Sequence, residues 1–356
     1  MSQRASGGVR DASGRLRGYT VARAGVRGDA VHHKTMLRPE LNAFFIAALG
    51  IAACAFASCT ASRAQVRPAL GVKTWTSTDG KQMPWREWGV PHGMKPRAVI
   101  IAVHGLSGAS EDFHLLGERL SPQGVAVVAY ELRGQGNDSD SARRGDIDRA
   151  ETWLRDLAAF HALVRERHTG IPILWYGESL GSLIALHTAA KNDAHARPDA
   201  LILASPIGGL RVHVGKFQHA MLRTASHVLP TFHVKLGSLA GMDESKIRVT
   251  GTSTHGAQMA KTPHHVSAFT LRLLRGVDDL LRANQDAAAR IAMPLLMLAS
   301  PHDVVSSPSQ VEALFQQIGS GDKRLLWYPQ SYHLLLHDVQ HEEVLGDVAR
   351  WVRRHE

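Results

Sequence analysis

The chain has 356 residues, 44% apolar and 21% charged, a balance that excludes a mostly disordered protein and allows one large core. Its net charge of +9 is not a nucleic-acid footprint. Residues 1–35 alone carry seven Arg and Lys against two Asp, and the remaining excess is scattered without a basic block or interleaved aromatics, as on a solvated surface.

In chain order, residues 1–35 are rich in Arg and Gly and lack apolar periodicity. They read as a basic extension, either lying ahead of an internal start at Met36 or forming a disordered basic tail. From Met36 the pattern is that of a secretory signal: Arg38 in a short polar start, then a nearly unbroken apolar run over 43–57. About 15 apolar residues suit a signal core, whereas a spanning helix needs roughly 20. The run ends in Phe56-Ala57-Ser58-Cys59, and polar residues follow. Small residues ahead of a cysteine are similar to the lipobox of bacterial lipoproteins, with Phe56 standing where Leu is usual. The expectation is an exported bacterial protein, attached to a membrane through a lipidated Cys59 or an uncleaved leader, or else released into the periplasm or exterior. Cys54 and Cys59 are the two cysteines of the chain, so the part that follows has neither a disulfide framework nor a thiolate metal site.

Residues 60–71 read as a linker. Asp79-Gly80 between the runs 72–78 and 82–88 is a strong hairpin signal. Continuous apolar runs at 98–103, 125–131, 173–176, 200–205, 293–299 and 324–328 predict buried strands. Helical patterns at 111–120, 150–168, from Gly177 to about 191, and 268–286 alternate with them. Such alternation predicts an α/β fold, a mostly parallel sheet with helices on both faces. The rhythm breaks over 208–262, a stretch rich in His, Gly and Thr that reads as a cap inserted between two core segments, 72–207 and 263–356.

Gly177-Glu178-Ser179-Leu180-Gly181 is a G-x-S-x-G string between a predicted strand and a predicted helix. In that context the serine sits on a tight turn that projects its hydroxyl, and the flanking glycines relieve crowding. A serine nucleophile needs a base, an acid to orient the base, and donors for the oxyanion. His104-Gly105-Leu106 leaves the 98–103 strand, and its loop aims the Leu106 N–H at the same point as that of Leu180. His104 itself precedes the serine by two strands and is expected to hydrogen-bond the loop. Asp303 follows the 293–299 strand, and His333 follows the last one. Asp322 and Asp338 compete for the acid role, but the first reads as a turn residue and the second as a helix-surface residue. His337 and His341 continue from His333 at helical spacing and are expected to face solvent. His333-Leu-Leu-Leu-His337 lacks the glutamate of a zinc-protease helix, and His213, His219, His227 and His233 are scattered, so neither metal nor cofactor is expected.

Together these residues resemble a known branch. His104-Gly105-Leu106-Ser107-Gly108, Tyr130-Glu131-Leu132-Arg133-Gly134-Gln135-Gly136, the serine string, His302-Asp303-Val304-Val305 and Tyr332-His333 are similar to the monoacylglycerol lipase and lysophospholipase branch of the α/β-hydrolases, often labelled serine aminopeptidase-like. The resemblance covers roughly residues 72–356, weakly in the cap. It implies a serine esterase acting on single-chain lipid esters through an acyl-enzyme, with Ser179, Asp303 and His333 catalytic and Leu106 and Leu180 supplying the oxyanion N–H groups. Glu131 stands where the branch usually has Asp, and Gln135 where it often has His, which bears on loop geometry near the site. The alternatives are aminopeptidase or acyltransferase chemistry on the same residues, or a catalytically silent binding protein of the same fold. For a peptidase, Asp243 and Glu244 would be the carboxylates available to hold a substrate amine.

Overall fold

The computed structural model describes residues 66–211, 215–235 and 246–356. The extension, the signal-like segment with Cys54 and Cys59, and His213, Asp243 and Glu244 lie outside the described residues. Among the described residues the main sheet has nine strands. The first three strands, β1 (Ala69–Leu70), β2 (Thr74–Thr76) and β3 (Gln82–Trp88), pair antiparallel, and β3 joins β5 (Val125–Tyr130) in the same sense. From β5 onward β4 (Ala98–Val103), β6 (Ile173–Glu178), β7 (Ala200–Ala204), β10 (Leu295–Ala299) and β11 (Lys323–Trp327) are all parallel.

The reason lies in the residues. Side chains alternate faces along a strand, so a strand covered on both sides must be apolar throughout. In β4, Val99, Ile101 and Val103 enter one core while Ala98, Ile100 and Ala102 enter the other. The first core is closed by α2 (Glu151–Arg167), whose Trp153, Leu157, Phe160 and Val164 recur at helical spacing, and by α3 (Leu180–Ala189). The second is closed by α1 (His114–Leu120) and α9 (His341–His355), the last helix of the chain.

After β7 the described part of the insertion holds α4 (Lys216–Val228), β8 (His233–Val234) and α5 (His255–Lys261). Strand β9 (Phe269–Thr270) pairs with β8 apart from the main sheet. The helical pattern at 268–286 resolves into two helices, α6 (Leu271–Arg282) and α7 (Asn284–Ala289), and α8 (Pro308–Gln317) precedes β11. No helix among the described residues is long and apolar enough to cross a membrane.

Strand order positions the site. Strands β4 and β6 are neighbours, yet the strand following β4 lies on one side of the pair and the strand following β6 on the other. A crevice opens at such a reversal, beyond the carboxyl ends of the strands.

Candidate active site

Ser179 leaves the end of β6 with φ +54° and ψ −116°, a conformation that L-residues rarely adopt, and the next residue already starts α3. Two glycines permit this turn. A Cβ on Gly177 would lie 2.4 Å from the Gly181 carbonyl oxygen, and one on Gly181 would lie 1.9 Å from that of Val103. Backbone therefore fills the space that side chains would need, and the strain is held by close packing of β4, β6 and α3.

Three chain segments far apart in sequence converge here. His333 Nε2 lies 3.0 Å from Ser179 Oγ, and its Nδ1 lies 2.9 Å from Asp303 Oδ2. All three side chains are buried, with Ser179 retaining 9% exposure. The carboxylate only accepts, so the Nδ1 proton points to Asp303 and the Nε2 lone pair is left to accept from the serine hydroxyl. Asp303 Oδ1 is itself fixed by the Val305 N–H at 2.7 Å and the Ser306 N–H at 3.3 Å. Burial alone would lower the pKa of His333, but the charge and hydrogen bond of Asp303 outweigh it and raise it above the ordinary imidazole value.

The loop after β4 closes over the serine. A Cβ on Gly105 would lie 3.1 Å from Ser179 Cβ and 3.7 Å from its hydroxyl oxygen, so the backbone of this loop passes close to the serine. Leu180 opens α3, where an N–H has no intrahelical acceptor and the helix dipole favours negative charge. His104 sits under this loop and is turned to its backbone: its Nε2 accepts the Leu132 N–H at 3.0 Å and its Nδ1 lies 2.9 Å from the Gly105 carbonyl.

The two departures from the family pattern both touch this loop. Gln135 Oε1 accepts the Ser107 N–H at 2.9 Å, and Ser107 is itself in a left-handed conformation at φ +61°. Its hydroxyl donates to the Val266 carbonyl at 2.7 Å, tying the loop to the segment before β9. Glu131 accepts from the Ser110 hydroxyl at 2.6 Å. Burial pushes that carboxyl up, but His104 and Ser110 overcome it and hold it at about 2.

Several residues carry no sequence signal for the places they take. Glu178, next to the serine, is 5% exposed, and burial, helped by the charge of Asp112, pushes its carboxyl up to about 7. Ser205, with φ +44°, donates its hydroxyl to the His333 carbonyl. Asp338 departs from its expected place on a helix surface. It precedes α9 and is 3% exposed, its carboxylate turned inward onto backbone N–H groups. His337 is half-buried and ends a 3-10 turn (Leu335–His337), so no continuous α-helix links it to His333. Asp322 caps the start of β11 from outside the site and pairs with His355 at 3.0 Å.

Comparison with known proteins adds a relationship. A family model described as serine aminopeptidase, S33, matches residues 94–340. The monoacylglycerol lipase of Mycolicibacterium smegmatis is 23% identical over 265 residues, covering 73% of this chain and 89% of that protein. An uncharacterized abhydrolase domain-containing protein of Dictyostelium discoideum is 23% identical over 285 residues, 79% of this chain, which spans only 29% of that longer relative. Among solved structures, a soluble variant of monoglyceride lipase from Saccharomyces cerevisiae, in complex with a substrate analog, superposes with a TM-score of 0.66 at 19% identity, covering 82% of this chain and 95% of that one.

Proposed function

The chain belongs to the serine aminopeptidase S33 family of α/β-hydrolases, and from that premise we propose that it hydrolyses carboxylic esters of single-chain lipids, of the monoacylglycerol type, through an acyl-enzyme on Ser179. The observation that carries this reading is the pair of contacts at 3.0 Å and 2.9 Å that link Ser179 Oγ to His333 and His333 to Asp303. Support for the substrate class comes from relatives named as monoacylglycerol lipases.

In the proposed cycle the Ser179 oxygen attacks the ester carbonyl while His333 Nε2 takes its proton. Asp303 holds the imidazole in the productive tautomer and stabilises its charge. The Leu106 and Leu180 N–H groups bind the oxyanion, where losing one such donor costs about 3 kcal/mol. The protonated His333 then gives its proton to the leaving alcohol. Water, activated by the same imidazole, attacks the acyl-enzyme and releases the fatty acid.

The test is Ser179→Ala, assayed on p-nitrophenyl butyrate, a 1-monoacylglycerol and an aminoacyl p-nitroanilide. The variant should fold, lose fluorophosphonate labelling, and lose turnover by roughly 10³-fold or more. Ester turnover that survives the substitution would sink the assignment. Wild-type cleavage of the anilide faster than of both esters would move the reading to a peptidase.

A further inference from the structure

His333 is held by more than the loop that follows β11. The short hairpin before α5, where Arg248 bridges Thr254, presents the Val249 carbonyl to two consecutive donors. The N–H groups of His333 and Leu334 both donate to it at 3.0 Å. On the other side the His333 carbonyl accepts from the Ser205 hydroxyl. The backbone around the imidazole is thus gripped from the insertion and from the end of β7 at once.

Asp338 ties this grip together. Its Oδ2 accepts the Tyr332 N–H at 2.7 Å, one residue before the histidine. Its Oδ1 accepts the Gly251 N–H at 2.7 Å, at the tip of the hairpin, and the N–H of its own neighbour Val339 at 2.7 Å. Three backbone donors converge on one carboxylate, and buried donors left without an acceptor are costly. A carboxamide cannot replace it, because it has one acceptor oxygen and would turn an N–H₂ group toward the remaining donors.

We infer that Asp338 is a positioning residue: by bonding the 249–251 hairpin and the Tyr332 backbone with separate oxygens, it sets the His333 imidazole against Ser179 and couples it to the insertion. The inference rests on the reading of His333 as the base. Asp338 touches no reacting atom, and its effect is on the reach of the imidazole alone.

Two variants test it beside Ser179→Ala. Asp338→Asn removes one of the two cross-segment bonds. Gly251→Ala keeps the charge but adds a methyl 3.2 Å from Asp338 Oδ1 and 3.3 Å from Val339 Cγ1, crowding the carboxylate from the hairpin side. In protein that melts well above the assay temperature, kcat should fall by about 10-fold or more with KM changed by less than about threefold, since a small misplacement of a catalytic group acts on the chemical step. The rate of fluorophosphonate labelling should fall by the same factor. Folded variants with kcat and labelling rate within about twofold of wild type, or with a change in KM alone, would overturn the inference. Should Asp338→Asn not fold, Gly251→Ala decides by the same criteria. Turnover retained by Ser179→Ala would instead remove the underlying reading, so the two failures are told apart.

Discussion

The sheet and the insertion use apolar periodicity to opposite ends. In β4, β5 and β6 every residue is buried, alternate side chains passing into cores on either face. In α4 of the insertion, Phe217, Met221 and Val228 recur at helical spacing, yet they are 82%, 55% and 71% exposed. The side of α4 that meets the rest of the molecule is polar: Arg223 pairs with Asp278 and Asp279 at 2.7 Å, and His219 with Asp278 at 3.0 Å, all on α6. A stripe of apolar residues thus says which side chains share a face. What that face meets depends on the neighbours the topology supplies, and a strand between two helical layers has neighbours on both sides.

Substitutions in the two regions put that contrast to the test. The largest effect is expected at the crossing of β4 and the serine turn. Gly181→Ala sets a Cβ against the Val103 carbonyl at 1.9 Å and against that of His104 at 2.9 Å, both backbone atoms that cannot rotate away. The variant should yield no cooperatively folded protein, read by circular dichroism and thermal melting. A stable, fully active Gly181→Ala would show that the core is looser than its burial implies.

A smaller effect, dependent on pH, belongs to Glu178. Its carboxyl rises from 4.5 to about 7 on folding, chiefly through burial. Between those values the folded state binds more protons than the unfolded one. Stability therefore falls as pH rises through that window, by on the order of 3 kcal/mol at most. Glu178→Gln should remove that slope, so the melting temperature of the variant gains on wild type between pH 4 and pH 8. The Glu178 charge is also one cause of the raised His333 pKa. With the neutral imidazole as the proposed base, the acid limb of kcat/KM should move to lower pH in Glu178→Gln. An unmoved limb would separate the two groups.

The smallest effect lies in the insertion. Phe217→Ser removes an aromatic ring that is already 82% exposed, and unfolding in urea should shift by no more than about 0.5 kcal/mol. A loss of several kcal/mol would mean that the face of α4 is covered, and the contrast with the sheet would disappear.

Legibility follows the same division. The alternation of strands and helices was open to reading from residue 98 onward because each buried strand needs an unbroken apolar run. Gly177 and Gly181 mark the serine turn in the sequence because nothing larger fits there. Ser179, Asp303 and His333 could be located as residues that follow strands, since carboxyl ends of parallel strands share one edge. The 3-10 start of the first helical stretch, at Ser110–Phe113, and the division between α6 and α7 were not legible, because periodicity marks element ends poorly.

Residue order alone dictates the parallel α/β architecture and a serine on a glycine-flanked turn, because both follow from local sterics and from the burial of apolar runs. It takes the folded arrangement to turn Asp338 inward, to bring Ser205 and the Val249 carbonyl onto the backbone of His333, and to leave the apolar side of α4 facing outward. Those outcomes depend on backbone N–H and C=O groups and on distant neighbours. Every residue but proline carries the same main-chain donor and acceptor, so they leave no pattern in the order of side chains.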